Sequence, residues 1–255
     1  MIKTARLFSG EVAVVSGSAQ GLGEAFARAL AFAGCQVAVV DMNGAQAEAV
    51  ASSIRAEGGH SLAFVLDVRD AASCKSIASQ IRNAMGAASV LVNNAGVSTR
   101  AQLDDDNFNE EIDRVMAVNL KGLLNLTRAF VPQLKEKRGA VVNIASIAAL
   151  LASFASVPYA ASKGAVAQAT KFLARDLAQH GVRVNALAPG FVVTPLTADL
   201  QDGVGSRMDR AAQRTMFKRV ANPDDLTGPL LFLASDMSKY VTGLVLPVDG
   251  GYSSS

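Results

Sequence analysis

One pattern constrains this chain above all others. Short, unbroken runs of β-favouring apolar residues alternate with longer amphipathic stretches, in the same order, along most of its length. The runs are "EVAVVSG" (11–17), "QVAVVD" (36–41), "SLAFVLDV" (61–68), "SVLVNNAG" (89–96), "AVVNIAS" (140–146) and "VRVNALAPG" (182–190). Between them lie "GLGEAFARALAFAG" (21–34), "GAQAEAVASSIRAEGG" (44–59), "AASCKSIASQIRNAMG" (71–86), a helical region from 107 to 137, and a helix from Pro158 to His180. Strand-length runs that are apolar throughout, not at every second residue, belong to a sheet covered on both faces. The repeated β-then-α order therefore predicts an α/β fold: a Rossmann-like, doubly wound parallel sheet with helices on both faces. No linker, repeat or low-complexity tract divides residues 1–255, so a single domain is expected. Half of the chain is hydrophobic and less than a fifth is charged, enough for one large core. The exception is "TPLTADLQDGVGSRMDRAAQRTMFKRV" (194–220), polar and broken by glycine. It follows the sixth strand, at the carboxyl end of the sheet, and reads as a small helical lid over a ligand.

Several function classes drop out. The net charge is +2 with no basic block, which gives nucleic acid or an anionic membrane no footprint. Cys35 and Cys74 stand at no metal-ligand or disulfide spacing and read as small core residues of a cytoplasmic protein, with no metal site. His180 precedes Gly181 at a helix end, where a cation meets the dipole. The acidic run Asp104–Asp106 reads as a solvated helix start. Lys3 and Arg6 are followed too soon by Gly10 and Glu11 to form an export signal. Residues 139–162 are uncharged, but Asn143, Ser146, Ser153, Ser156 and Pro158 break them into strand, loop and helix start, so no membrane span is expected.

Chemistry concentrates at the ends of the strands. The first run enters "SGSAQGLG", with glycines at 17, 21 and 23. The spacing is neither G-x-G-x-x-G nor a P-loop. The physics is shared: glycines allow a tight turn, and the next helix aims its N-terminus at a pyrophosphate. Asp41 ends the second run, where an acidic residue receives ribose hydroxyls, and Asp67 ends the third, beside an adenine edge. Either one also suits a turn. In "VPYAASKGAVAQ" (157–168), Tyr159 and Lys163 stand four apart on one helix face with small residues between them.

Together these residues resemble the soluble, single-domain subclass of the short-chain dehydrogenase/reductase family over essentially the whole chain. Ser16 to Gly23 matches T-G-x-x-x-G-x-G with serine for threonine, and Asn93-Asn94-Ala95-Gly96 matches N-N-A-G. Tyr159 and Lys163 match Y-x-x-x-K, with Ser146 thirteen residues before the tyrosine and Asn119 in "VMAVNLKG". Pro189-Gly190, Thr194 and "VDGGY" also fit. The resemblance implies an NAD(P)-dependent oxidoreductase and a homotetramer. It makes Tyr159 the general acid/base, Ser146 the oxyanion donor, and Lys163 the group that holds ribose hydroxyls and lowers the phenol pKa from about 10 together with an oxidised nicotinamide. Asn119 would support a proton path from Lys163 to solvent. Cofactor contacts are expected from Gly17, Ser18, Gln20, Gly21, Leu22, Gly23, Asp41, Asp67, Val68, Asn93, Ala95, Gly96, Tyr159, Lys163, Pro189, Gly190, Val192 and Thr194.

Asp41 favours NAD over NADP, because its carboxylate would repel a 2′-phosphate by several kcal/mol. No cation in Ser18-Ala19-Gln20, or directly after Asp41, offsets it. The loop "IAALLASFASVP" (147–158) offers Leu150, Leu151, Phe154 and Val157 to a substrate that also meets Ser146 and Tyr159. It lacks the glycine-and-glutamine loop of 3-oxoacyl-carrier-protein reductases and is poor in polar groups for a polyol. An apolar, alicyclic or aromatic secondary alcohol or its ketone fits best. The alternatives are a 3-oxoacyl thioester reductase, a polyol dehydrogenase and a non-catalytic NAD sensor. A methyltransferase shares the glycine turn but has no need of Asn119, Ser146, Tyr159 and Lys163 together.

Overall fold

The computed structural model describes residues 7–200 and 206–254. Seven strands form one sheet: β1 (Val12–Ser16), β2 (Gln36–Asp41), β3 (His60–Val65), β4 (Ala88–Asn93), β5 (Ala140–Ile144), β6 (Arg183–Pro189) and β7 (Val245–Val248). Their order is β3-β2-β1-β4-β5-β6-β7, and every neighbouring pair is parallel. The chain turns back at β1, so β1 and β4, adjacent in space, diverge in connection. That is the point at which an open α/β sheet forms a crevice at its carboxyl edge.

The helices are α1 (Gly21–Phe32), α2 (Gly44–Ala56), α3 (Ala71–Met85), α4 (Phe108–Met116), α5 (Leu123–Lys137), α6 (Val157–Ala178), α7 (Arg207–Arg214) and α8 (Thr227–Ala234). Alternate residues of one strand feed opposite cores. Ala13 and Val15 pack with α1, α2 and α8, whereas Val12 and Val14 pack with Cys74, Ile77 and Ile81 of α3 and Leu126, Phe130 and Leu134 of α5. Both faces are therefore dry, which explains the continuous apolar runs. Cys35 and Cys74 are buried and free, and burial pushes the Cys74 thiol up to about 11.

Two elements leave no strong pattern in the sequence. β7 is a short edge strand with Pro247 inside it, a residue that edge strands tolerate because they need not donate on their open side. α8 has Gly228 and Pro229 in its first turn and is apolar nearly all round. Of the segment 194–220, a 3-10 stretch (Pro195–Leu200) and α7 are described, and residues 201–205 lie outside the described residues, as do 1–6 and 255. Its base is tied by a bridge between Val192 and Ala221. Among the described residues no helix is long and apolar enough to cross a membrane.

Candidate active site

At the crevice, β1 and β4 are tied together by the side chains of Ser16 and Asn94. Ser16 Oγ donates to the Val92 carbonyl at 3.3 Å and accepts the amides of Asn94 and Ala95, each at 3.1 Å. Asn94 Nδ2 in turn donates to the carbonyls of Ser16 and Gly17 at 3.0 and 2.9 Å. Gly17 has φ +63°, and a Cβ there would stand 2.8 Å from Ala95 Cα. At Gly23 a Cβ would stand 2.0 Å from the Gly17 carbonyl oxygen, so the turn closes only on hydrogen. Gln20, at the N-cap of α1, makes no side-chain cap bond, leaving first-turn amides for an anion in the cleft.

Asp41 closes β2 as the sequence indicated. Its carboxylate accepts the Ala19 amide at 3.1 Å and the Asn43 amide at 3.0 Å, which fixes its direction with acceptor capacity left. Asp67 differs from expectation. β3 ends at Val65, and Asp67 lies two residues beyond it in a turn, where Arg69 grips both carboxylate oxygens. Arg69 holds the Asp67 carboxyl below its ordinary range.

Ser146, Tyr159 and Lys163 come together at the other end. Ser146 follows β5, and Tyr159 and Lys163 share the first turns of α6, which Pro158 opens. The Ser146 hydroxyl faces the phenol closely enough to favour its ionised form. Lys163 is nearly fully buried, and its Nζ donates to the Ile144 carbonyl at 2.7 Å and lies 5.7 Å from the Tyr159 ring centroid. Burial pulls the lysine down to about 8. In the protein alone, burial also pushes the Tyr159 phenol up to about 12, against the pull of the Ser146 hydroxyl. Without the oxidised nicotinamide that the expected lowering also calls on, desolvation dominates the phenol, and the ammonium sits beside the ring and on a backbone carbonyl.

Asn119 lies in a π-helical turn (Ala117–Gly122) between α4 and α5, the kind of bulge that recurs at functional sites. Its amide is engaged by the protein: Oδ1 accepts the Val97 amide at 2.8 Å, and Nδ2 donates to the Val97 carbonyl and to Ser162 Oγ. Ser162 Oγ donates to the Tyr159 carbonyl at 2.7 Å. Asn119 thus does not line the cleft but braces its floor and the turn that carries Tyr159. A Cβ on Gly96 would stand 3.3 Å from Asn119 Oδ1 and 3.6 Å from Lys163 Nζ, which locates these two groups together.

The cleft joining these parts has a volume of about 710 Å³. Gly17, Gln20, Gly21, Leu22, Gly23, Asp41, Asp67, Val68, Ala95, Gly96, Ser146, Tyr159, Lys163, Pro189, Gly190, Val192 and Thr194 all line it. Ser18 and Asn93 do not. The Ser18 hydroxyl turns inward to Val15 and Val40, and Asn93 Nδ2 joins Thr127 and Asn143 in the core behind β4. Arg69, Asn94 and Leu196 line the cleft without having been singled out. For Asn94 the signal was present, since it sits inside the N-N-A-G motif.

Leu150, Leu151 and Phe154 lie outside that lining. Leu151 packs on a satellite core of Ile147, Ala211 and Tyr252, while Leu150 and Phe154 are exposed. Phe154 meets Phe191 edge-on at 5.9 Å, and Phe191 meets Tyr252 at 5.5 Å. These rings stand beside the Ser146 end of the cleft, so the loop forms an outer wall, with Leu151 as core.

The groups fit a dinucleotide. A glycine cradle that a Cβ would fill opens the cleft, a carboxylate stands at the end of β2, and a phenol–serine–lysine cluster closes the far side.

The chain matches the protein-family model described as enoyl-(acyl carrier protein) reductase over residues 17–253. It is 34% identical over 250 residues to a 2,5-dichloro-2,5-cyclohexadiene-1,4-diol dehydrogenase of Sphingobium indicum, with 98% of each chain covered. It is 36% identical over 243 residues to a 3-oxoacyl-[acyl-carrier-protein] reductase of Thermotoga maritima, covering 95% of this chain and 97% of the relative. A gluconate 5-dehydrogenase from Burkholderia cenocepacia, solved with NADP and tartrate, superposes with a TM-score of 0.93 at 36% identity over 99% of each chain.

Proposed function

This chain belongs to the short-chain dehydrogenase/reductase family, and from that premise we propose that it moves a hydride between the nicotinamide of NAD and the carbinol carbon of an apolar, alicyclic or aromatic secondary alcohol or its ketone. One observation carries the reading: Ser146, Tyr159 and Lys163 converge at one end of a cleft whose other end is the glycine turn and Asp41. Tyr159 Oη gives a proton to the carbonyl oxygen in reduction and takes it back in oxidation. Ser146 Oγ holds the same oxygen while negative charge develops there. Lys163 has donors left beyond its bond to Ile144, and these serve ribose hydroxyls and the proton path past Asn119. Exposed Leu196 in the cleft lining, with exposed Leu150, Phe154 and Val157 in the loop between Ser146 and Tyr159, supports an apolar substrate body.

Asp41 supports NAD, because its carboxylate is aimed by two amides and Arg69 is engaged with Asp67. Residues 1–255 are read as one catalytic domain with 194–220 as its lid. The cytoplasmic homotetramer remains part of the proposal; the exposed Leu124 of α5 and Phe172 of α6 are surfaces it would cover. Similarity to the 3-oxoacyl thioester reductase and the gluconate 5-dehydrogenase favours a second reading, a thioester or polyol substrate. NADH absorbance with NAD or NADP and a panel of apolar alcohols, polyols and 3-hydroxyacyl thioesters tests both. Turnover confined to polyols or thioesters selects the second reading. NADH binding with no turnover of any substrate leaves a sensor.

A further inference from the structure

The lid carries chemistry that hydride transfer leaves unused. Residues 206–219 hold Arg207, Arg210, Arg214, Lys218 and Arg219 against one carboxylate, Asp209, in a chain of net charge only +2. Three of these cations have visible work. Arg219 is held by Asp225 in two hydrogen bonds of 2.7 and 2.8 Å. Lys218 donates to the Gln213 carbonyl at 2.7 Å. Arg214 covers the ring of Tyr252 and reaches its hydroxyl.

Arg210 is different. Its guanidinium carbon stands 5.6 Å from the ring centroid of Phe154, and its side chain is exposed. Among the described residues no carboxylate lies within ion-pair distance of it. A guanidinium held over a ring spends none of its N–H donors in hydrogen bonds there, which leaves them for a ligand.

The stack leads to the reacting end. Phe154 continues through Phe191 to Tyr252. Phe191 stands between Gly190 and Val192, which line the cleft, and Tyr252 packs with Ile147, next to Ser146. An uncharged apolar alcohol would account for the rings and the greasy rim. It would not account for a cation mounted on them with its donors open.

We infer that the substrate carries an anionic group, a carboxylate or a phosphate, on the side of its apolar body away from the reacting carbon, and that Arg210 receives it. The inference rests on the reading of this site as a secondary-alcohol oxidoreductase. A cationic rim would also raise the encounter rate with such a substrate.

The test uses matched alicyclic secondary alcohols. One pair differs as carboxylate against methyl ester, the other as phosphate monoester against free hydroxyl, each assayed with NAD by NADH absorbance. An anionic member is expected to lead in kcat/KM by about 10- to 100-fold, chiefly through KM, with the lead shrinking as salt is raised. Which pair shows it separates carboxylate from phosphate. In Arg210→Met the lead should fall to about one, and Arg210→Lys should restore part of it. Lys75→Met, which removes an exposed cation of α3, should leave the lead intact. Equal use of charged and neutral members by the parent, or a lead that survives in Arg210→Met, overturns the inference and leaves the oxidoreductase reading standing. Turnover of neither pair while other alcohols react overturns it too, whereas turnover of no alcohol at all removes both.

Discussion

Lys163 Nζ donates to the Ile144 carbonyl at 2.7 Å, so the buried ammonium is held by the end of β5 and not by a carboxylate. Burial takes its pKa from 10.5 to about 8. The unfolded chain keeps this proton to higher pH than the folded one. Between those two values the folded state therefore gains stability as pH rises, by at most about 1.4 kcal/mol per pH unit, and loses it as pH falls through the folded value. Higher still, Tyr159 works in the opposite sense: its phenol is raised from 10.0 to about 12, so the unfolded chain ionises first and stability falls. Urea midpoints of the parent should accordingly rise from about pH 8 to about pH 9, where the raised thiols of Cys35 and Cys74 begin to act in the opposite sense, and Lys163→Met should lack that rise. Parallel curves for the two proteins would show that the lysine proton is not linked to folding.

Tyr159→Phe keeps the ring beside Lys163 and deletes only the phenol oxygen that meets Ser146. Fold and NADH binding should persist while turnover drops about 10²–10⁴-fold, the usual loss when general acid/base catalysis goes. Alcohol oxidation by the parent should rise with pH, since phenolate is the reactive base, and ketone reduction should fall. Near-normal turnover of the phenylalanine protein, followed by NADH absorbance across pH, would make Tyr159 helix filler.

The sheet was legible because burial on both faces writes a continuous apolar run, and six of its strands carry one. β7 did not, being four residues at an edge with a proline inside. Glycine spacing and the Tyr159–Lys163 interval were legible because each is a local geometric demand. What a side chain does at a strand end was not. Ser18 and Asn93 stand in motifs of the cleft yet turn their polar groups into the core, a choice set by partners 22 to 50 residues away. How the protein alone sets the phenol pKa was hidden for the same reason. Spacing placed the lysine near the ring, but only the fold sets burial and the position of its Nζ.

Gly23→Ala should be severe. Its methyl would lie 2.0 Å from the Gly17 carbonyl oxygen and 2.6 Å from Asn94 Nδ2, and the first of these is backbone that cannot step aside. A loss of about 1–3 kcal/mol in denaturation is expected, with weaker NADH binding by fluorescence as the turn opens. Gly164→Ala in α6 meets nothing within 4 Å and should instead be neutral or stabilising by up to about 1 kcal/mol. Equal behaviour of the two variants would show that the turn is not packed as described.

Asp41 sets the last expectation, the choice of dinucleotide. Two backbone amides, from Ala19 and Asn43, aim its carboxylate into the cleft, where ribose hydroxyls can donate to it and a 2′-phosphate would meet like charge. Arg69 also lines this end, but Asp67 holds it through both carboxylate oxygens, so it is not offered to a phosphate. The unmodified protein should use NAD better than NADP in kcat/KM. Asp41→Ala should narrow the gap by about 10- to 100-fold, mostly through a lower KM for NADP, because repulsion is what it removes. Adding Asp67→Asn frees the Arg69 guanidinium and should move preference further toward NADP than Asp41→Ala alone. Initial rates with both cofactors decide it: if the unmodified protein uses NADP as well as NAD, the carboxylate of Asp41 does not face the ribose, and the assignment of this end of the cleft falls with it.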